Sequence, residues 1–182
     1  MERTGVRTRC PGAAVWLAAA LLTAALPAGA AGQGGEEMSV RSWTDIPYLG
    51  ADSDSTYQVL DVFAPDGAEG APVIVFIHGG AFHMSDKADA RYYPQTGERL
   101  ARGGLVAVLP NYRLSPQVTY PAHAEDIAAA VSWTFRRIAE YGGDPSKVFV
   151  AGHSAGGLLA AAVALDRELL DAYGAEADAL KG

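Results

Sequence analysis

The chain is almost without cysteine. Cys10 is the only thiol among 182 residues, which excludes an internal disulfide framework and any two-cysteine zinc or redox site. Basic residues are also scarce. Fourteen Lys and Arg stand against 21 Asp and Glu, a formal charge of -7, which argues against nucleic acid as a partner. There is no internal repeat and no long low-complexity tract, so a repeat architecture is excluded. Charged residues are only 19%, while hydrophobic residues are 49%. That composition belongs to a globular chain rather than a disordered one. The length suits a single domain with a real core.

Long apolar runs are confined to the N-terminus. Arg3, Arg7 and Arg9 precede the apolar stretch Ala13 to Leu26, and Pro27 with Ala28-Gly29-Ala30 forms an A-x-A-like cleavage site. Residues 1–30 are therefore expected to be a signal peptide, and the protein to be secreted or periplasmic. The apolar stretch is short for a span and no stop-transfer pattern follows, so no stable membrane insertion is expected after cleavage. An uncleaved N-terminal anchor is the alternative. Cys10 lies before the apolar stretch, so it is not placed as a lipoprotein cysteine, and it would leave with the signal peptide. Residues 31–42, with Gln33-Gly34-Gly35-Glu36-Glu37, are expected to be a flexible leader. Residues 43–182 remain for the folded domain.

Trp43 to Tyr48 and Tyr57 to Phe63 are strand-like runs around the turn cluster Asp52-Ser53-Asp54-Ser55. They predict an antiparallel hairpin at a sheet edge. Val73-Ile74-Val75-Phe76-Ile77, Leu105 to Leu109 and Val148 to Ala151 are uninterrupted apolar runs, as in strands covered on both faces. Between them lie two helical stretches. Arg91 to Arg102 carries Tyr93, Thr96 and Leu100 on one side and stops at Gly103-Gly104. Pro121 to Tyr141 carries Ile127, Val131, Phe135 and Ile138 on one face, with Arg136, Arg137 and Glu140 opposite. A third, Gly157 to Leu165, is rich in helix formers. Strand and helix in alternation predict an α/β fold with a mostly parallel sheet and right-handed crossovers.

Ligands in such sheets bind at the carboxyl ends of the strands, and two glycine-rich motifs fall there. The first is Gly152-His153-Ser154-Ala155-Gly156, between the strand Val148 to Ala151 and the helix that follows. A serine on so sharp a strand-to-helix turn is a nucleophile elbow. The turn strains the backbone at Ser154, and side chains at 152 and 156 would collide with flanking backbone. The hydroxyl is then exposed at a helix N-terminus, which favours a developing oxyanion. The second motif is His78-Gly79-Gly80-Ala81-Phe82, directly after the strand Val73 to Ile77. Acyl transfer needs N–H donors for the oxygen of the tetrahedral intermediate. Ala155, Gly80 and Ala81, with Gly79 as a further candidate, are positioned to supply them.

Val73 to Phe82, Asn111-Tyr112-Arg113-Leu114-Ser115-Pro116, Tyr141 to Pro145 and Gly152 to Gly157 together resemble the α/β-hydrolases of the carboxylesterase type. The nearest groups are those like hormone-sensitive lipase, isoprenylcysteine methylesterase and feruloyl esterase. The resemblance covers roughly residues 45 to 165. It implies an α/β-hydrolase fold and hydrolysis of a small-molecule carboxylic ester through a Ser154 acyl-enzyme, without cofactor or metal. The oxyanion donors it implies are Gly80, Ala81 and Ala155. The chain departs at Ala81, where lipase-like members carry a third glycine; alanine still presents its N–H. The family's acid and histidine follow the serine, but no histidine lies after His153. The chain is therefore expected to be an N-terminal portion, truncated after the elbow helix and inactive alone, with its triad acid and histidine beyond residue 182. An amide or formamide hydrolase of the same fold is one alternative. A non-catalytic remnant is another. Composition leaves the oligomeric state open.

The other candidates have structural readings. His78 is expected to shape its loop, and His83 beside it lacks a third metal ligand. His123 is expected at the surface or in a loop. His153 points differently from Ser154 and is not read as its base. Asp126 and Asp144 precede the serine, and helix-face and turn roles explain them better than triad roles. Phe82, Tyr112 and Tyr120 are candidates for a substrate pocket or for core packing.

Overall fold

The computed structural model describes residues 38–175 and 177–182. The signal-peptide reading of residues 1–30, and the leader as far as residue 37, lie outside the described residues. Among the described residues no helix is long and apolar enough to cross a membrane.

Five strands form one sheet: β1 (Val40–Pro47), β2 (Val59–Pro65), β3 (Ala71–Ile77), β4 (Val106–Pro110) and β5 (Gly143–Gly152). Their order is β1-β2-β4-β3-β5. β4, β3 and β5 run parallel, while β2 is antiparallel to both β1 and β4. Among the described residues the α-helices are α1 (Tyr93–Arg102), α2 (Ala122–Arg137), α3 (Ala155–Leu165) and the short α4 (Arg167–Asp171).

Side-chain alternation along the strands divides the core into two layers. Leu60, Val62, Val73, Val75, Ile77, Val106 and Val108 face α2 and α3, where Ile127, Val131, Leu159 and Val163 meet them. Phe63, Ala107 and Leu109 face the other way, onto Tyr93 and Ala101 of α1. The result is the layered architecture of an α/β-hydrolase, with helices on both faces of a mixed sheet.

Several expectations are corrected. β1 starts at Val40, so the last three residues of the segment read as leader pair with Phe63–Pro65. The hairpin exists, but of its two strands only β1 lies at the end of the sheet. β2 lies inside the sheet, paired on its other side to β4, and all seven of its residues are buried. The buried stripe of α1 is Tyr93, Gly97 and Ala101, with Thr96 and Leu100 only partly buried. A side chain at 97 would come within 2.5 Å of the Phe63 ring, so α1 packs by its smallest residue. α2 ends at Arg137 and passes into a 3-10 turn, Ile138–Tyr141. β5 is not covered on both faces, since Phe149 is 36% exposed. Beyond α3 the chain continues through α4 and returns alongside β5. There the Val150 N–H donates to the Gly182 carbonyl at 2.7 Å, and the Lys181 N–H to the Val148 carbonyl at 2.9 Å.

Candidate active site

β5 delivers the chain to the elbow at the carboxyl end of the sheet. Ser154 has φ 54° and ψ -118°, a conformation that costs a non-glycine residue of the order of 1–3 kcal/mol. Close packing of glycines holds it there. A Cβ at Gly152 would lie 2.3 Å from the Gly156 carbonyl, and one at Gly156 would lie 2.2 Å from the Ile77 carbonyl oxygen. The helix start is thus pressed against β5 below it and the end of β3 beside it. Ser154 is exposed, and its side chain makes no capping bond to α3.

The loop after β3 lies against this turn. A Cβ at Gly79 would be 3.2 Å from the Ser154 Cβ and 2.7 Å from the His153 carbonyl oxygen. Gly80 has φ 113°, and a Cβ there would fall 1.9 Å from the Met84 carbonyl oxygen, so only glycine fits. Ala81 and Phe82 follow with φ 53° and 64°. Three consecutive positive φ values turn the loop sharply beside the serine. Among the described residues the N–H groups of Gly80, Ala81 and Ala155 donate to no carbonyl or side chain. Gly79 differs from its reading as a donor. Its N–H is committed to the Tyr93 Oη at 2.9 Å.

Buried polar groups anchor that loop. His78 is 2% exposed and stacks on Tyr112 at 4.4 Å. Its Nδ1 lies 2.7 Å from the Gly79 carbonyl oxygen. Burial pulls its pKa below the usual histidine value. Tyr112 donates its hydroxyl to the His78 carbonyl at 3.2 Å. Its ring is fully buried against His78 and His123. Asn111 accepts the Lys87 N–H at 2.7 Å and donates to the Asp86 carboxylate at 2.7 Å.

Lys87 escapes a reading of the sequence. It is 3% exposed, and its Nζ contacts Asp45 and Asp61 at 2.7 Å each. Burial opposes its charge, but the bonds to Asp45 and Asp61 outweigh burial and hold the ammonium above its usual pKa. Asp45 sits at a break in the β1–β2 register. The cluster therefore clamps the far end of the site loop to the sheet. Lys87→Met leaves the Asp61 carboxylate buried without its cation and is expected to cost ~3–5 kcal/mol of stability. Urea unfolding of the full-length protein tests this. A loss below ~1 kcal/mol, the value of an exposed pair, would show that no buried ion pair exists there.

Asp126 is buried under Arg113, which reaches it with Nε and Nη2 at 2.8 Å each. Gln58 donates to the same carboxylate at 2.8 Å. Those partners account for Asp126 without a triad role. Asp144 accepts from Ser146 and Lys147 in the turn opening β5. The Lys147 and Ser146 hydrogen bonds hold its pKa down at about 2. His123 is corrected from a surface residue to a buried one. It lies in the first turn of α2, 4% exposed, with Nε2 3.2 Å from the Ser115 Oγ. Burial also lowers its pKa. None of the four histidines hydrogen-bonds to Ser154. Among the described residues no group of three His, Cys, Asp or Glu side chains is arranged to hold a metal ion.

Two cavities of about 300 Å³ flank the elbow loops. One is walled by Phe82, Tyr120, His123, Leu158, Leu159 and Ala162, so Phe82 and Tyr120 do line a pocket. The other opens between Gly80, Met84, Asp89, Tyr92, Tyr93 and His153.

A helix-flanked mixed sheet with a strained serine between β5 and α3 is the architecture of an α/β-hydrolase. The family model BD-FAE matches residues 60–178, and the chain belongs to that family. It is 38% identical over 125 residues to Esterase LipQ of Mycobacterium tuberculosis, covering 67% of this chain and 28% of that protein. Among solved structures, a truncated carbohydrate esterase from gut microbiota superposes with a TM-score of 0.64 at 27% identity. That match covers 74% of this chain and 47% of the other. Esterase B of Lactobacillus rhamnosis, inhibited by a tributyrin phosphonate, gives 0.63 at 28% identity over 78% and 45%. The chain thus spans under a third of the length of LipQ, and under half of these two solved esterases.

Proposed function

We propose that the protein hydrolyses small-molecule carboxylic esters through an acyl-enzyme on Ser154. The observation that carries this is the strained, exposed serine at the start of α3, set against a loop whose Gly80 and Ala81 N–H groups have no acceptor among the described residues. The Ser154 Oγ attacks the ester carbonyl carbon. The oxyanion that forms takes hydrogen bonds from Gly80, Ala81 and Ala155, each worth ~3 kcal/mol of transition-state stabilisation. The carbon–oxygen bond to the alcohol breaks, and the alcohol leaves with the proton that Ser154 gave up. Water then attacks the acyl-serine, releases the acid and restores the hydroxyl.

We place the histidine that moves this proton, and its acid partner, outside residues 1–182. The bonds and burial of His78, His123, Asp126 and Asp144 support that placement. Export rests on the N-terminal pattern of basic residues, apolar run and small residues. The esterase names of the relatives agree with the reaction. The test is a fluorophosphonate probe on the full-length protein. The label is expected on the peptide carrying Ser154; a label on another serine would overturn the assignment.

A further inference from the structure

His153 stands between the elbow glycine and the nucleophile, and its ring reaches Tyr93 of α1. The Tyr93 Oη accepts the Gly79 N–H at 2.9 Å and lies 3.3 Å from the His153 Nδ1. A phenol has one proton to give. Gly79 donates to one lone pair of the Tyr93 oxygen, and the Tyr93 hydroxyl proton is within reach of Nδ1. With Tyr93 as donor, Nδ1 accepts and Nε2 is the ring nitrogen left to carry the N–H. That edge of the ring has no partner among the described residues. His153 is exposed and lines the cavity that also holds Gly80, Asp89 and Tyr93. Asp89 is already paired to Arg91 at 2.7 Å. The opposite cavity, by contrast, is walled mainly by Phe82, Leu158, Leu159 and Ala162.

We propose that His153 is a specificity-determining residue, whose Nε2–H, fixed by Tyr93, donates to an oxygen on one arm of the ester. This rests on Ser154 being the nucleophile. The substrate class it selects is an ester with one compact apolar arm, held by Phe82 and Leu158, and one hydroxyl- or carbonyl-bearing arm, held at His153. Tyr93 is a positioning residue. It holds the tautomer and keeps the Gly79 N–H out of the site.

The experiment compares kcat/KM of the full-length protein on two matched pairs of esters. Glyceryl monobutyrate against propyl butyrate changes only the alcohol arm. Ethyl lactate against ethyl propionate changes only the acyl arm. In His153→Phe one of the two polar-over-apolar ratios is expected to fall about tenfold, the scale of one lost hydrogen bond. His153→Gln, which keeps a donor at similar reach, is expected to retain most of that ratio. Tyr93→Phe is expected to lower it in the same direction. If all four esters lose activity by a common factor, His153 only packs the elbow and the proposal fails. It fails also if neither ratio moves while turnover remains dependent on Ser154. Turnover that survives Ser154→Ala would overturn the nucleophile reading as well.

Discussion

Replacing Ser154 by alanine is expected to lower kcat on short-chain nitrophenyl esters by roughly four to six orders of magnitude in the full-length protein. The alanine removes the atom that would carry the acyl group. It leaves the proposed oxyanion donors in place, because the N–H groups of Gly80, Ala81 and Ala155 belong to the backbone. A small residual rate over the uncatalysed reaction is therefore expected, with KM changed little. The strain at position 154 persists in the variant, since φ 54° is as unfavourable for alanine as for serine. Stability is accordingly expected to stay within ~1 kcal/mol of the parent. Steady-state kinetics with a parallel thermal unfolding scan provide the check. A kcat reduced less than a hundredfold, with the fold intact, would mean that another group carries the acyl chain.

The second large effect is on folding. Gly156→Ala is expected to destabilise the protein by ~3 kcal/mol or more. The added Cβ would lie 2.2 Å from the Ile77 carbonyl oxygen and 2.5 Å from that of His78. Both contacts are to backbone, so no rotamer change relieves them. The start of α3 would have to withdraw from the end of β3, taking Ser154 away from the Gly79–Ala81 loop. Activity is expected to fall with stability, even in molecules that still fold. Gly157→Ala is the comparison. Its Cβ would meet only the Gly152 carbonyl oxygen at 3.3 Å, and alanine is the better helix former by ~1 kcal/mol. It is expected to change stability by no more than ~1 kcal/mol. Equal effects from the two variants would refute the close approach of α3 to β3.

The parts of this protein that could be read in advance depend on neighbours in the chain. Five residues set between an apolar run and a helix-forming run are enough to specify an elbow, because its glycines answer contacts within the turn and with the adjacent strand. The apolar runs at β3 and β4 likewise announce strands covered on both faces. Tertiary structure decided what depends on partners distant in sequence. β2 has the pattern of an outer hairpin strand, yet it lies inside the sheet because β4, more than forty residues later, pairs with its far side. His123 resembles any polar residue at a helix start until Ser115 and Phe82 close over it. Lys87 looks like a surface lysine, because only folding brings Asp45 and Asp61 to it. Gly79 reads as an oxyanion donor from its motif alone. Tyr93 takes that N–H away because the first residue of α1 reaches past Phe76 to the end of β3, and a hydrogen bond between distant segments leaves no periodicity in the sequence.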